Sequence, residues 1–284
     1  MPSNSVIRKA VDVDGLPASY LTAAGADGHT DGPPVLLLHG TYWSRVWLPV
    51  MAELASAGLR PIAVDLPGLG QSAGELDARS ATVPALADWV RRFAAASGID
   101  EPLHVAGHDI GGAIAQHLAV GGSGEVARLA LVNSVTYDSW PVPGVQRFRN
   151  PEVVDSTSVE ELLAARRAAV TAALARPATE AEISEYLDPW RSRRVGRSWM
   201  ALAGAADSRY TLDLVPAMRA SDTPKLLVWG EDDTFQGITY AERFAEEMPH
   251  TALVRVPDAG HIPMENDAKA VATALSAFFS PEGA

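Results

Sequence analysis

The sequence predicts an α/β domain on a mostly parallel, eight-stranded sheet, with helices on both faces and a helical segment inserted after the sixth strand. Three observations carry that expectation. Short continuous apolar runs such as Val35 to Leu38 and Leu103 to Ala106 recur along the chain, the pattern of strands buried on both faces. Helical patterns closed by glycine separate them, and strand–helix alternation of this kind implies parallel crossovers. From about Thr136 to Pro216 the strand rhythm stops, leaving only helical pattern. The expected organisation is therefore a core in two parts, residues 1–135 and 217–284, around a helical lid at 136–216.

Taken in order, Val6 to Ala24 alternates loosely around Asp14-Gly15 and reads as two strands joined by a tight turn. Pro33-Pro34 introduces the third strand, which ends in His39-Gly40-Thr41-Tyr42-Trp43. Val46 to Ala57 is an amphipathic helix closed by Gly58. Pro61 to Asp65 is the next strand, running into Leu66-Pro67-Gly68-Leu69-Gly70-Gln71-Ser72. Thr82 to Ala96 is a helix closed by Gly98, Leu103 to Ala106 a strand, and Arg128 to Asn133 the sixth strand. Val159 to Ala175 and Glu180 to Tyr186 supply helices of the inserted segment. Lys225 to Trp229 and Ala252 to Val256 are the last strands, each followed by a loop and a helix. Pro281 to Ala284 reads as a frayed tail.

The totals exclude several classes of function. The 284-residue chain has no cysteine, which removes disulfides, thiolate metal sites and thiol nucleophiles. Its net charge of −12 argues against nucleic acid or an anionic membrane as partner. No apolar run approaches bilayer length and Met1 to Ala10 lacks a secretory core. The expectation is a cytoplasmic enzyme, monomeric or homodimeric, acting on a small molecule without metal or organic cofactor.

The chemistry centres on Gly107-His108-Asp109-Ile110-Gly111. A strand, a tight turn and a helix place one reactive side chain at the apex of a nucleophile elbow, here Asp109. The bend requires small residues two before and two after it, Gly107 and Gly111. The helix N-terminus behind the bend favours negative charge there. In parallel sheets functional groups collect at the carboxyl ends of strands, and the others so placed are Thr41, Asp233 and His261. Their chain order is nucleophile, acid, histidine.

That joint pattern resembles the α/β-hydrolase family, and within it the branch with an aspartate nucleophile, the epoxide hydrolases and haloalkane dehalogenases. The likeness covers nearly the whole chain, including the His-Gly loop, the stretch Asp65 to Ser72 and Gly260-His261. It implies that Asp109 attacks an sp³ carbon to form an ester, which water activated by His261 hydrolyses. Asp233 would orient the imidazole, and the backbone N–H groups of Thr41 and Ile110 would form the oxyanion hole. The family's Gly-x-x-Asp spacing, as the resemblance implies, selects Asp233 over Asp232, with Asp138 as second choice because some dehalogenases place their acid there.

An aspartate nucleophile disfavours ester or amide substrates, because attack would give a mixed anhydride. Between epoxide and halide, Ile110 stands where the dehalogenases commonly place tryptophan, and Thr41 where they often place asparagine. Fluoroacetate-type enzymes follow the aspartate with arginine, which is also absent. An epoxide needs a proton donor, in the family a lid tyrosine, and Tyr186 and Tyr210 are available. The expectation is an epoxide hydrolase for small apolar or aromatic substrates, with Trp43 and Trp190 as further lining residues. The rivals are a haloalkane dehalogenase and, from another class, a noncatalytic ligand receptor. His108 is expected to pack or hydrogen-bond, and His29, His104, His117 and His250 lack metal-ligand spacing.

Overall fold

The structure, a computed structural model, describes residues 5–23, 32–99, 102–122 and 125–280. Its eight strands are β1 (Val6–Val13), β2 (Leu16–Ala23), β3 (Pro34–Leu38), β4 (Arg60–Val64), β5 (Leu103–Asp109), β6 (Val126–Ser134), β7 (Lys225–Gly230) and β8 (Thr251–Val256). They form one sheet in the order β1-β2-β4-β3-β5-β6-β7-β8. β2 is antiparallel to both β1 and β4; the remaining pairs are parallel. The Asp14-Gly15 turn closes the first pair with both residues at positive φ (56° and 83°). A two-residue hairpin of this kind needs that backbone, and glycine supplies it without strain.

β3 and β5 sit at the centre. Val35 to Leu38, Val105 and Ala106 are fully buried, because helices cover both faces: α1 (Leu48–Ser56), α2 (Val83–Ala96), α3 (Ile110–Gly121) and, after the last strands, α10 (Ile238–Glu247), α11 (Pro263–Asn266) and α12 (Ala268–Phe279). The helix expected from Val46 begins as a 3-10 turn, Ser44–Trp47, since Pro49 has no N–H to donate and is tolerated in the first turn of α1. Thr82 is the cap rather than the first residue of α2; its hydroxyl accepts from Ala85 N–H.

Between β6 and β7 the described residues form no strand. They form a 3-10 segment (Pro143–Arg149), α4 (Pro151–Ser156), α5 (Val159–Leu174), α6 (Glu180–Leu187), a 3-10 turn (Asp188–Arg191), α7 (Arg193–Gly204), α8 (Arg209–Leu212) and α9 (Val215–Arg219). α5 and α6 each start with a capping box, Ser158 with Glu161 and Thr179 with Glu182. Buried polar contacts fasten this segment to the sheet. Glu265, beside the last helix, accepts from Arg45 (2.6 Å) and from the Tyr186 hydroxyl (2.8 Å). Ser198 accepts from Leu76 N–H (3.0 Å), and Ile262 N–H donates to Ala173 C=O (3.2 Å). No helix among the described residues is long and apolar enough to cross a membrane. The C-terminal tail, His29 and part of the Gly121–Gly124 connection lie outside the described residues.

Candidate active site

Asp109 ends β5 with φ 56° and ψ −127°, a backbone that costs a non-glycine residue on the order of 1–3 kcal/mol and is characteristic of functional turns. The bend is possible because its flanks carry no side chain. A Cβ on Gly107 would lie 2.4 Å from Gly111 O, and one on Gly111 would lie 2.3 Å from Leu38 O. Gly40 has the same property on the facing loop, where a Cβ would lie 2.4 Å from Ile110 N and 2.7 Å from Asp109 Oδ2. The three glycines let the loop after β3 and the first turn of α3 close on the carboxylate.

Thr41 fixes one carboxylate oxygen. Its N–H (2.8 Å) and its hydroxyl (2.6 Å) both donate to Asp109 Oδ2. The other oxygen, Oδ1, lies 4.0 Å from His261 Nε2. On its far side His261 Nδ1 is 2.9 Å from Asp233 Oδ2. Because a carboxylate only accepts, that contact places the ring proton on Nδ1 and leaves Nε2 with a free lone pair facing Asp109. Burial would lower the basicity of His261, but the charge and hydrogen bond of Asp233, aided by Asp109, outweigh it and raise its pKa above the ordinary histidine value.

Asp233 is held from several directions. Oδ1 accepts from Phe235 N–H (2.7 Å) and Gln236 N–H (3.0 Å), and Oδ2 from Asn133 Nδ2 (2.7 Å). Burial would raise its pKa; the His261 charge and these hydrogen bonds reverse the sign and lower it. Of the alternatives, Asp232 is exposed and Asp138 is exposed and hydrogen-bonded to Tyr240. His108 is buried, with Nε2–H donating to His261 C=O (2.7 Å). Burial, with the neighbouring His261 charge, pushes its pKa down to about 4, so it is a neutral strut under the histidine loop. His39 is likewise structural, donating to Gly40 C=O through Nδ1 (3.0 Å) and accepting Leu66 N–H at Nε2 (3.0 Å).

The triad opens on a cavity of about 430 Å³. Thr41, Asp109 and His261 form its floor, and its walls include Trp140, Val145, Phe148, Leu162 and Trp199. Four residues expected at the site lie elsewhere. Tyr186 is buried with its hydroxyl committed to Glu265, and Tyr210 packs its backbone carbonyl against His117 Nε2 (2.8 Å); neither lines the cavity. Trp43 donates its indole N–H to Tyr186 C=O (3.2 Å), and Trp190 lies behind Arg166 rather than on the wall. No residue of α6, of the Asp188–Arg191 turn or of α8 lines the cavity; the inserted segment meets it through the 3-10 segment Pro143–Arg149, α5 and α7, a choice made by packing that the sequence does not show.

Tyr42 and Arg166 are among the cavity residues that went unremarked in the sequence. Tyr42 follows Thr41 on the floor loop, with the Arg166 guanidinium over its ring (5.2 Å); burial raises its pKa well above the ordinary tyrosine value. Arg166 lies on α5 in line with buried Leu162 and Val170. A charged residue on an apolar helical stripe was the available signal.

Comparison with known proteins places this geometry. The profile of the alpha/beta hydrolase family matches residues 35–274. A cis-3-alkyl-4-alkyloxetan-2-one decarboxylase of Xanthomonas campestris is 25% identical, covering 98% of this chain and 97% of that one. A haloalkane dehalogenase of Bradyrhizobium diazoefficiens is 28% identical, covering 89% of each. Among solved structures, the epoxide hydrolase CorEH superposes with a TM-score of 0.80 at 24% identity, covering 98% of this chain and all of that one, a likeness of fold. With the elbow, the triad order and the sheet in place, the chain belongs to the alpha/beta hydrolase family.

Proposed function

We propose that this hydrolase opens epoxides to vicinal diols through a covalent ester on Asp109, beneath a lid formed by residues 136–216. The observation that carries the reading is the division of labour between the two Asp109 oxygens. Oδ2 is tied to Thr41, while Oδ1 is directed toward His261 and the cavity. Oδ1 attacks a ring carbon as the carbon–oxygen bond breaks, and Oδ2 becomes the ester carbonyl.

The departing oxygen needs a proton, and Tyr42 is the hydroxyl placed to give it. The Arg166 guanidinium lies 5.2 Å from the centre of the phenol ring, so the phenolate that results sits beside a cation. In the second half, His261 Nε2 takes a proton from water as the water oxygen bonds to Asp109 Cγ. The negative charge then gathers on Oδ2, where the Thr41 N–H and hydroxyl, joined by Ile110 N–H, stabilise it. Collapse expels the diol oxygen, which takes the proton back from His261. The carboxylic acid left on Asp109 returns its proton to Tyr42. One water is consumed and one diol released.

A second reading, halide displacement, is favoured by one feature: Trp199 lines the cavity and its buried indole N–H has no hydrogen-bond partner among the described residues, a donor left over for a halide. The deciding experiment is mass spectrometry of a His261→Gln variant after incubation with epoxides and with bromoalkanes. An adduct of full epoxide mass on the Asp109 peptide supports ring opening. An adduct of alkyl mass from the bromoalkanes alone, with bromide release, selects the second reading. No adduct from either class refutes both.

A further inference from the structure

The cavity carries one more cation than hydrolysis of a neutral epoxide matches. Two arginines line it, Arg166 in its wall and Arg147 on the exposed 3-10 segment, against a single carboxylate, Asp109. Neither guanidinium forms an ion pair among the described residues. Arg166 is only 6% exposed. Its guanidinium lies against the rings of Tyr42 (5.2 Å), Trp190 (4.5 Å) and Trp199 (4.7 Å), and one Nη donates to Thr41 C=O (3.2 Å). Its Nε has no hydrogen-bond partner among the described residues. Aromatic faces position a cation but supply no counter-charge, and burying an unpaired cation is costly.

Asp109 is the nearest anion in the chemistry, yet it cannot serve throughout, because alkylation turns it into a neutral ester. From that moment the two cations of the described cavity wall face one anion, the Tyr42 phenolate left by proton transfer. A protein of net charge −12 repels anions at long range, so cations set in one cavity are a selective device there.

We propose that Arg166 recognises a carboxylate on the substrate, with Arg147 drawing it in, so that the compounds hydrolysed are short epoxy acids rather than neutral epoxides. This deepens the reaction proposed above and rests on it. Thr41 bridges the two ends of the site, its C=O bound to Arg166 and its N–H to Asp109. The substrate carboxylate therefore sits close to the reacting carbon, while the apolar wall around Val145, Phe148 and Leu162 receives a carbon chain. The same contacts explain why an arginine occupies the apolar stripe of α5.

Binding is tested apart from turnover. Calorimetry with butyrate and butyramide on the intact protein should show the carboxylate bound at least tenfold more tightly than the amide. Asp109→Asn, which removes a like charge, should tighten butyrate several-fold and leave the amide unchanged. Arg166→Met should abolish the preference, and Arg166→Lys should restore part of it should the methionine variant fail to fold. Turnover of 2,3-epoxybutanoate over its amide should follow the same order in kcat/KM. Equal binding of acid and amide by the wild type, or an equal loss of both in the Arg166 variants, overturns the proposal. Should the acid be preferred in binding while no epoxide alkylates Asp109, the carboxylate site stands and the ring-opening reaction falls.

Discussion

Replacing Thr41 by valine separates the two halves of the proposed reaction. Valine keeps the β-branched shape and the backbone N–H that donates to Asp109 Oδ2 at 2.8 Å, but deletes the hydroxyl that donates at 2.6 Å. During alkylation Oδ2 passes from a carboxylate oxygen to an ester carbonyl, so it loses charge and the missing donor does not raise that barrier. During hydrolysis Oδ2 becomes a full oxyanion and the donor is missed most. A hydrogen bond to a charged acceptor is worth about 1.5–3 kcal/mol, which at about 1.4 kcal/mol per tenfold slows ester hydrolysis roughly 10- to 150-fold. The ester should therefore accumulate to nearly one equivalent. Rapid-quench mass spectrometry during turnover reads both steps: an unchanged or slightly faster rise of the adduct and a slow decay. Equal slowing of rise and decay, or a lower kcat with no adduct, would refute the assignment of Oδ2 as the oxyanion.

Other expectations follow from the same geometry. Tyr42→Phe should lower ring opening by about 10²- to 10⁴-fold, the usual worth of general acid catalysis. Tyr186→Phe should leave kcat within a few-fold but cost about 1.5–3 kcal/mol of stability in urea melts through the lost Glu265 bond; the opposite ranking of the two variants would show that the donor had been misplaced. Gly40→Ala, whose Cβ meets Ile110 N at 2.4 Å and Asp109 Oδ2 at 2.7 Å, should cost on the order of 100-fold in rate by shifting the floor loop, with the fold checked by circular dichroism; an active variant sinks the close-approach argument. The His261 base works only when neutral, so the rate falls as pH drops through its raised pKa. Esterification removes the Asp109 charge, one of the groups raising that pKa. The acid limb of single-turnover ester decay should therefore lie at lower pH than the NMR titration of His261 in the free enzyme, and a limb at the same or higher pH counts against the coupling.

The elbow was legible because its demands are local. A strand, two small flanking residues and a helix specify the bend around Asp109 whatever surrounds it, and Gly40, Gly107 and Gly111 answer to backbone distances of 2.3–2.4 Å. His261 and Asp233 were legible for a related reason, since one follows the largely uncovered edge strand β8 and the other the buried β7, and the parallel register brings both to the same end of the sheet. The inserted segment obeyed no such rule. Its capping boxes at Ser158 and Thr179 fix where helices begin, but not how they rotate against the sheet. Rotation decided that the Tyr186 hydroxyl meets Glu265, and that Arg166 meets Tyr42, Trp190 and Trp199 at the cavity wall.

Sequence by itself thus determined the sheet, the bend and the strand ends that carry Asp109, Asp233 and His261, because hydrophobic period and glycine sterics act over a few residues. Which wall faces Asp109 was settled by contacts more than 100 residues apart along the chain, such as Arg166 on Thr41 and Trp43 on Tyr186. Contacts of that range leave no periodic trace, since they depend on how whole helices pack once the sheet is formed.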